Sequence, residues 1–218
     1  MIDVAANLAA VRARIAAAAE RSRRDPSAVR LLAVSKTKPA ALVRAAIAAG
    51  ATDIGENYVQ EAVAKRPAVP DPARWHLIGH LQRNKAARAL ETFDCIHTLD
   101  SAALGAALAR HAQARGVPAE VLVEVNVGGE PSKHGVAPDD LPALLRDVRD
   151  PHLRVLGLMA VPPADTPEAT RPFFRRLREL AERAGLRELS MGMTDDFEVA
   201  IEEGATMVRV GRAIFGAR

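Results

Sequence analysis

Leu31-Leu32-Ala33-Val34-Ser35-Lys36-Thr37-Lys38-Pro39 compresses a strand, a loop and a helix start into nine residues. Four apolar residues form a short buried strand, and Pro39 ends it and opens a helix. The same unit recurs along the chain. Short apolar runs fall at 31–35, near 52–55, and at 75–78, 94–98, 121–127, 154–159, 187–191 and 206–210. Helical stretches with recognisable caps lie between them. Pro39 opens one that closes at Gly50, Asp100-Ser101 opens another that ends at Gly116, and Pro138-Asp139-Asp140 starts a third. Phe173, Phe174, Leu177 and Leu180 give a fourth its apolar stripe before Gly185. Eight strands, each followed by a helix, predict an α/β fold: a single (β/α)8 TIM-type barrel, one domain over residues 1–218. Val4, Leu8, Val11 and Ile15 at helical spacing add an extra N-terminal helix before the first strand. An open doubly wound sheet is the main competitor, but no Gly-x-Gly-x-x-Gly follows the first strand.

With 49% hydrophobic but 3% aromatic residues, aliphatic and alanine side chains must fill the core. The lone cysteine, Cys95, excludes an internal disulfide framework and fits a reducing cytoplasm; between Asp94 and Ile96 it is expected in the core. Met1-Ile2-Asp3-Val4 lacks the basic start of a signal peptide, and no run approaches the ~20 apolar residues of a membrane span. The net charge of +3 invites a nucleic-acid reading, but 30 basic residues are interspersed with 27 acidic ones. The clusters Arg21-Ser22-Arg23-Arg24 and Arg175-Arg176 fall on expected solvent faces of helices, with no interleaved aromatics.

Two charges stand out. Lys36 follows a buried strand, where an ammonium is costly to desolvate. It either snorkels to solvent or is held there for chemistry, since partial burial lowers an amine's pKa and readies it to form an imine with an aldehyde. Arg209, between Val208 and Val210, also needs an acceptor: a carboxylate such as Glu124, or a ligand heteroatom at the barrel mouth.

In such barrels the loops after the strands build the active face, and those after strands seven and eight often take phosphate. Here they carry Ser190, Gly192, Thr194, Gly211 and Arg212: hydroxyls, glycines and a guanidinium suited to an anion. Thr194-Asp195-Asp196 also has the pattern of a helix N-cap with first-turn acids. Asn57 stands just past strand two, and Gly128–Gly135 forms a long loop past strand five. A lysine, an anion site and a strand-eight arginine together suggest pyridoxal 5′-phosphate: aldehyde to Lys36, phosphate to the seven/eight loops, pyridine nitrogen to Arg209.

Seven segments carry a family resemblance. They are Ala33–Pro39, Gly55–Glu61, Trp75–Lys85, Val125-Asn126-Val127 through Lys133-His134-Gly135, Gly157-Leu158-Met159, Ser190–Asp196, and Val208–Gly211 with Ile214-Phe215-Gly216. In order and over essentially the whole chain, they resemble the pyridoxal phosphate homeostasis protein family, which is similar to the alanine racemase barrel of fold type III. The resemblance implies a Schiff-base lysine at Lys36, no established turnover, and a role in holding the cofactor and delivering it to dependent apoenzymes. The site set is then Lys36, Asn57, Ser190, Gly192, Thr194, Arg209, Gly211 and Arg212. The family usually has threonine where this chain has Arg212, and often serine where it has Thr194.

An amino-acid racemase or decarboxylase is the alternative, and a cofactor-free Schiff-base aldolase a third reading. Racemisation needs acid/base groups on both faces of the substrate carbon, commonly a lysine and a tyrosine. The only tyrosine, Tyr58, falls in a helix after strand two, and racemases of this type draw theirs from a separate β domain not expected in a chain ending at Arg218. Arginine at a pyridine nitrogen leaves it unprotonated, a weaker electron sink. These points favour a monomeric cytoplasmic carrier that contacts neither nucleic acid nor membrane.

Overall fold

The computed structural model describes residues 2–69, 73–163 and 166–217. Eight parallel strands close in sequence order: β1 (Arg30–Val34), β2 (Asp53–Glu56), β3 (Arg74–Leu77), β4 (Cys95–Leu99), β5 (Ala119–Glu124), β6 (Leu153–Met159), β7 (Glu188–Met193) and β8 (Met207–Val210). Arg30 to Ala33 of β1 pair with Met207 to Val210 of β8, so no sheet edge remains. The helices are α1 (Val4–Arg21), α2 (Ala40–Ala48), α3 (Val59–Lys65), α4 (Ala86–Thr92), α5 (Ala102–Arg115), α6 (Leu141–Asp147), α7 (Pro167–Ala184), α8 (Phe197–Glu202) and α9 (Arg212–Phe215). This is the expected (β/α)8 barrel with an extra N-terminal helix. None of the described helices is long and apolar enough to cross a membrane.

Local chemistry sets the helix ends. Asp3 caps α1 by accepting from Ala6 N–H at 2.9 Å, and Ser101 caps α5. Gly116 and Gly185 stop α5 and α7 in the left-handed region, at φ 69° and 67°, where glycine has no Cβ to clash. The apolar stripe of α1 is fully used: Val4, Leu8, Val11 and Ile15 are buried against α2, α8 and α9. Asn7 ties its first turn to the Ile214 carbonyl at 3.0 Å.

Strand residues alternate between two cores. Ala33, Ile54, Trp75, Leu77, Ile96, Val121, Val123, Met191 and Val208 pack between sheet and helices. Leu32, Cys95, Leu122, Met159 and Met207, of opposite parity, make a separate cluster that fills the barrel itself. Cys95 is thus a core residue; burial pushes its thiol up to about 12.

Three local expectations are corrected. Strand five stops at Glu124 rather than residue 127, because Val125 leaves the ladder for an isolated bridge to Val136. Asp196, not Thr194, is the N-cap of α8; Asp196 Oδ1 folds back to accept from Met193 N–H at 2.6 Å. Tyr58 precedes α3 rather than lying in it. Arg24 also departs from a solvent face: half-buried, it donates to the Ile201 and Ala205 carbonyls.

Candidate functional site

The lysine loop is held from below. β1 ends at Val34, and buried Ser35 donates from its hydroxyl to Glu56 Oε1 at 2.6 Å. Lys36 is half-buried in the turn that follows. Thr37 sits at φ 63°, a region that costs a β-branched residue about 1–2 kcal/mol. Its N–H is gripped by Glu61 Oε2 at 2.8 Å. Lys65 Nζ then joins Ser35 O (2.8 Å), Glu56 Oε1 (2.7 Å) and Glu61 Oε2 (3.1 Å). Burial pushes the Glu56 carboxyl up, against the pull of Lys65 and Ser35. This network anchors both sides of Lys36.

Other lysines near the mouth have structural partners. Lys38 donates to Gly216 O (3.1 Å) and Ala217 O (2.7 Å), and Lys133 to Pro162 O (2.9 Å) and Glu130 (2.7 Å). The carbonyl partners of Lys38 draw it to the far end of the chain.

Across the β8–β1 seam lies the glycine-lined end. Gly192 has φ 89°, and a Cβ there would come 2.5 Å from Ala200 Cβ and 2.9 Å from Phe197 Cα. At Gly211 a Cβ would meet Val34 O at 3.1 Å, so the turn into α9 lies directly on the end of β1. Both positions require bare backbone, because neighbouring protein atoms already occupy the space a Cβ would take. Thr194 is half-buried in the β7–α8 turn. Arg212 is exposed and paired with Asp195, a contact that links the two loops. On the other flank, Asn57 follows β2, its backbone pressed so closely on Gly79 that a Cβ there would lie 2.3 Å from Asn57 O.

Arg209 lies inside the barrel, 4% exposed. It donates through NH1 to Ser190 O (2.6 Å) and Ser190 Oγ (2.8 Å), and through NH2 to Ala160 O (2.9 Å). Burial lowers its guanidinium to about 10, and Asp196 and Glu124 resist that fall through space. Among the described residues no carboxylate reaches ion-pair distance, so the Glu124 pair expected as one alternative does not form. Glu124 is left with Oε2 buried and unpartnered, and burial together with Asp100 pushes its carboxyl up to about 7.

A chain of hydrogen bonds leads away from Arg209 across the barrel. Ser190 Oγ is 2.9 Å from His97 Nδ1, His97 Nε2 is 2.9 Å from His76 Nδ1, and His76 Nε2 is 2.9 Å from Asp53 Oδ1. Serine and both histidines have no exposed surface, and Asp53 is 5% exposed. Burial pushes Asp53 up, but hydrogen bonds from His76 and Thr52 outweigh it and hold the carboxylate below its ordinary range. Burial, with Arg209 and other cations near, holds His97 well below its usual value, hence neutral. With His97 neutral, one proton arrangement satisfies every member. Arg209 donates to Ser190, Ser190 to His97 Nδ1, His97 Nε2–H to His76, and His76 Nε2–H to Asp53. Ser190, expected as a direct anion ligand, therefore lies a layer below the rim with its hydroxyl in this chain.

The structure thus brings Lys36, Asn57, Gly192, Thr194, Gly211 and Arg212 to one end of the barrel, with Arg209 and Ser190 beneath them. Asp53, His76 and His97 went unnoticed in the sequence, although each interrupts an apolar strand at the same inward parity as Arg209. A pyridoxal phosphate fits this set: a lysine in a fixed turn, a bare-backbone anion end beside it, and a buried guanidinium below.

Comparison with known proteins agrees. The family described as alanine racemase, N-terminal domain, matches residues 6–218. A pyridoxal phosphate homeostasis protein of Pseudomonas aeruginosa is 51% identical, with 100% of this chain and 97% of that protein covered. PipY of Synechococcus elongatus PCC7942, solved with PLP bound, is 41% identical with a TM-score of 0.83, covering 98% of this chain and 100% of PipY. A structure of an unknown protein from Bifidobacterium adolescentis superposes with a TM-score of 0.92 at 37% identity, over 98% of this chain and 94% of that one. With a family match over nearly every residue and relatives aligned end to end, the chain belongs to the alanine racemase N-terminal domain family and, within it, to the pyridoxal phosphate homeostasis proteins.

Proposed function

We propose that this protein binds pyridoxal 5′-phosphate through Lys36 and holds it for delivery to dependent apoenzymes, without turnover of its own. The observation that carries this is the anchored Lys36 turn, which follows the end of β1 on which the glycine turn at Gly211 packs, with buried Arg209 on the neighbouring β8, in a chain 41% identical to a relative solved with PLP bound. When bound, the cofactor supplies an aldehyde with which a primary amine condenses. The protein's residues do the rest. Lys36 presents its amine from a turn held by Glu61, Lys65 and Ser35; the Gly192 and Gly211 backbones receive the phosphate; Arg209 donates toward the ring nitrogen and keeps it unprotonated. A carrier gains from that last feature, because an unprotonated ring draws electrons weakly from a bound amine. Tyr58, 54% exposed at the start of α3, supports the same reading, since an exposed phenol is poorly placed to serve as a second acid.

The test is reconstitution with pyridoxal phosphate, borohydride reduction and peptide mass analysis. The pyridoxyl mass is expected on the Lys36 peptide, with the near-visible absorbance lost in Lys36→Ala. Label confined to Lys38 or Lys133 sinks the assignment. Steady conversion of L- to D-alanine, lost in Lys36→Ala, contradicts the absence of turnover.

A further inference from the structure

Three rim residues outside the lysine site converge on the mouth. His80 follows β3, Asp100 follows β4, and His134 lies in the long loop between β5 and α6. One nitrogen of each histidine and one Asp100 oxygen all lie within 4.8 Å of one another. His80 Nδ1 is 3.5 Å from Asp100 Oδ2. That is long for a hydrogen bond, but close to the edge of a zinc tetrahedron, where ligand atoms stand roughly 3.3–3.5 Å apart. The His80 and His134 rings stack with centroids 3.8 Å apart and an interplanar angle of 10°.

Each residue is delivered by built structure. Gly79 is jammed against Asn57, and its carbonyl accepts from Thr98 Oγ1 at 2.9 Å, which fixes the root of His80. Ser101, rather than Asp100, caps α5, so Asp100 is released toward His80. The His134 loop is stapled by Asn126 Nδ2 donating to Glu130 O (2.8 Å) and by Lys133 donating to Pro162 O. Gly135, at φ 105°, follows it, and a Cβ there would strike Asn126 N at 2.8 Å. The other cluster of ligand type, His76, Cys95 and His97, is no competitor. Both its histidines have both ring nitrogens in hydrogen bonds, and its thiol is protonated.

We propose that His80, Asp100 and His134 form a second site on the barrel rim that binds a divalent transition-metal ion of the zinc class. Two imidazoles and one carboxylate suit zinc, cobalt or iron(II) rather than magnesium or calcium, and three protein ligands leave a coordination position open. Binding turns the His134 ring out of its parallel stack, because in-plane lone pairs of parallel rings do not meet at a point. The site does not depend on the Lys36 assignment.

The test uses the untagged full chain, titrated with Zn2+ by calorimetry and with Co2+ by visible absorption. One equivalent is expected, with tetrahedral cobalt bands and no competition from Mg2+. His80→Ala, Asp100→Ala and His134→Ala should each weaken binding at least about tenfold, since even outer-shell changes at zinc sites cost that much. His111→Ala, a change in a half-buried histidine on α5, should not. No saturable binding, or wild-type affinity in any one of the three rim variants, overturns the proposal.

Discussion

At the residue scale, Arg209 and Arg212 are three positions apart yet in opposite surroundings. Arg209 supports the fold: three hydrogen bonds from a buried cation tie β8 to Ser190 O, Ser190 Oγ and Ala160 O. Arg209→Gln should lower the unfolding free energy by several kcal/mol, at about 1–3 per bond, read by urea denaturation. Arg212 faces solvent against Asp195, so Arg212→Ala should leave stability nearly unchanged. If Arg212 meets the phosphate, its loss weakens pyridoxal phosphate binding about ten- to a hundredfold. Asp195→Asn, which removes the competing carboxylate, should strengthen it. Equal affinity in both variants would leave Arg212 a plain surface residue.

Glu124 makes a pH-dependent contribution. Its carboxyl is pushed up to about 7 from the ordinary 4.5. Between those values the unfolded chain has released a proton that the folded chain retains. Stability therefore falls as pH rises through that window and levels off above it. Glu124→Gln should erase this slope and be more stable above neutrality by up to about 3 kcal/mol, less where water reaches the group. Thermal unfolding of both proteins across that range decides; an unchanged slope in the variant contradicts the account.

At the scale of elements, the strands were legible because parallel strands covered on both faces appear as short apolar runs. The helix stops at Gly116 and Gly185 were equally plain. What escaped was long-range. Nothing near His76 in sequence announces His97 or Asp53; only the pairing of β2, β3 and β4 brings the three together, and only parity along each strand hinted at it. Lys65 was invisible for the same reason: its place under Ser35 depends on how α3 returns to β1. The interior chain gives a prediction of its own. In the cofactor-free protein, nitrogen NMR should find His97 neutral with the proton on Nε2, and His97→Gln should loosen Arg209 and shift the absorbance of bound pyridoxal phosphate. Protonation of His97 at Nδ1 near neutral pH would refute the arrangement.

At the scale of the whole molecule, many of the basic side chains are held in ion pairs between helices. Arg14 and Arg21 of α1 reach Glu198 and Glu202 of α8, while Arg171, Arg175 and Arg178 of α7 converge on Glu203. Of the large apolar side chains described, those exposed are Ile2, Tyr58, Val117 and Met193, scattered rather than joined in a patch. The protein is therefore expected to run as a monomer in light scattering at micromolar concentration; an obligate dimer would contradict this.

Closure of the sheet between β1 and β8 has a consequence for how a ribosome makes this chain. The two strands lie some 180 residues apart, so β1 waits about ten to forty seconds for its neighbour at ordinary translation speeds. The apolar face of α1, whose partners include α8 and α9, waits with it. Until Val210 emerges, the nascent chain presents an open strand and a sticky helix, and its need for chaperones is greatest in that interval.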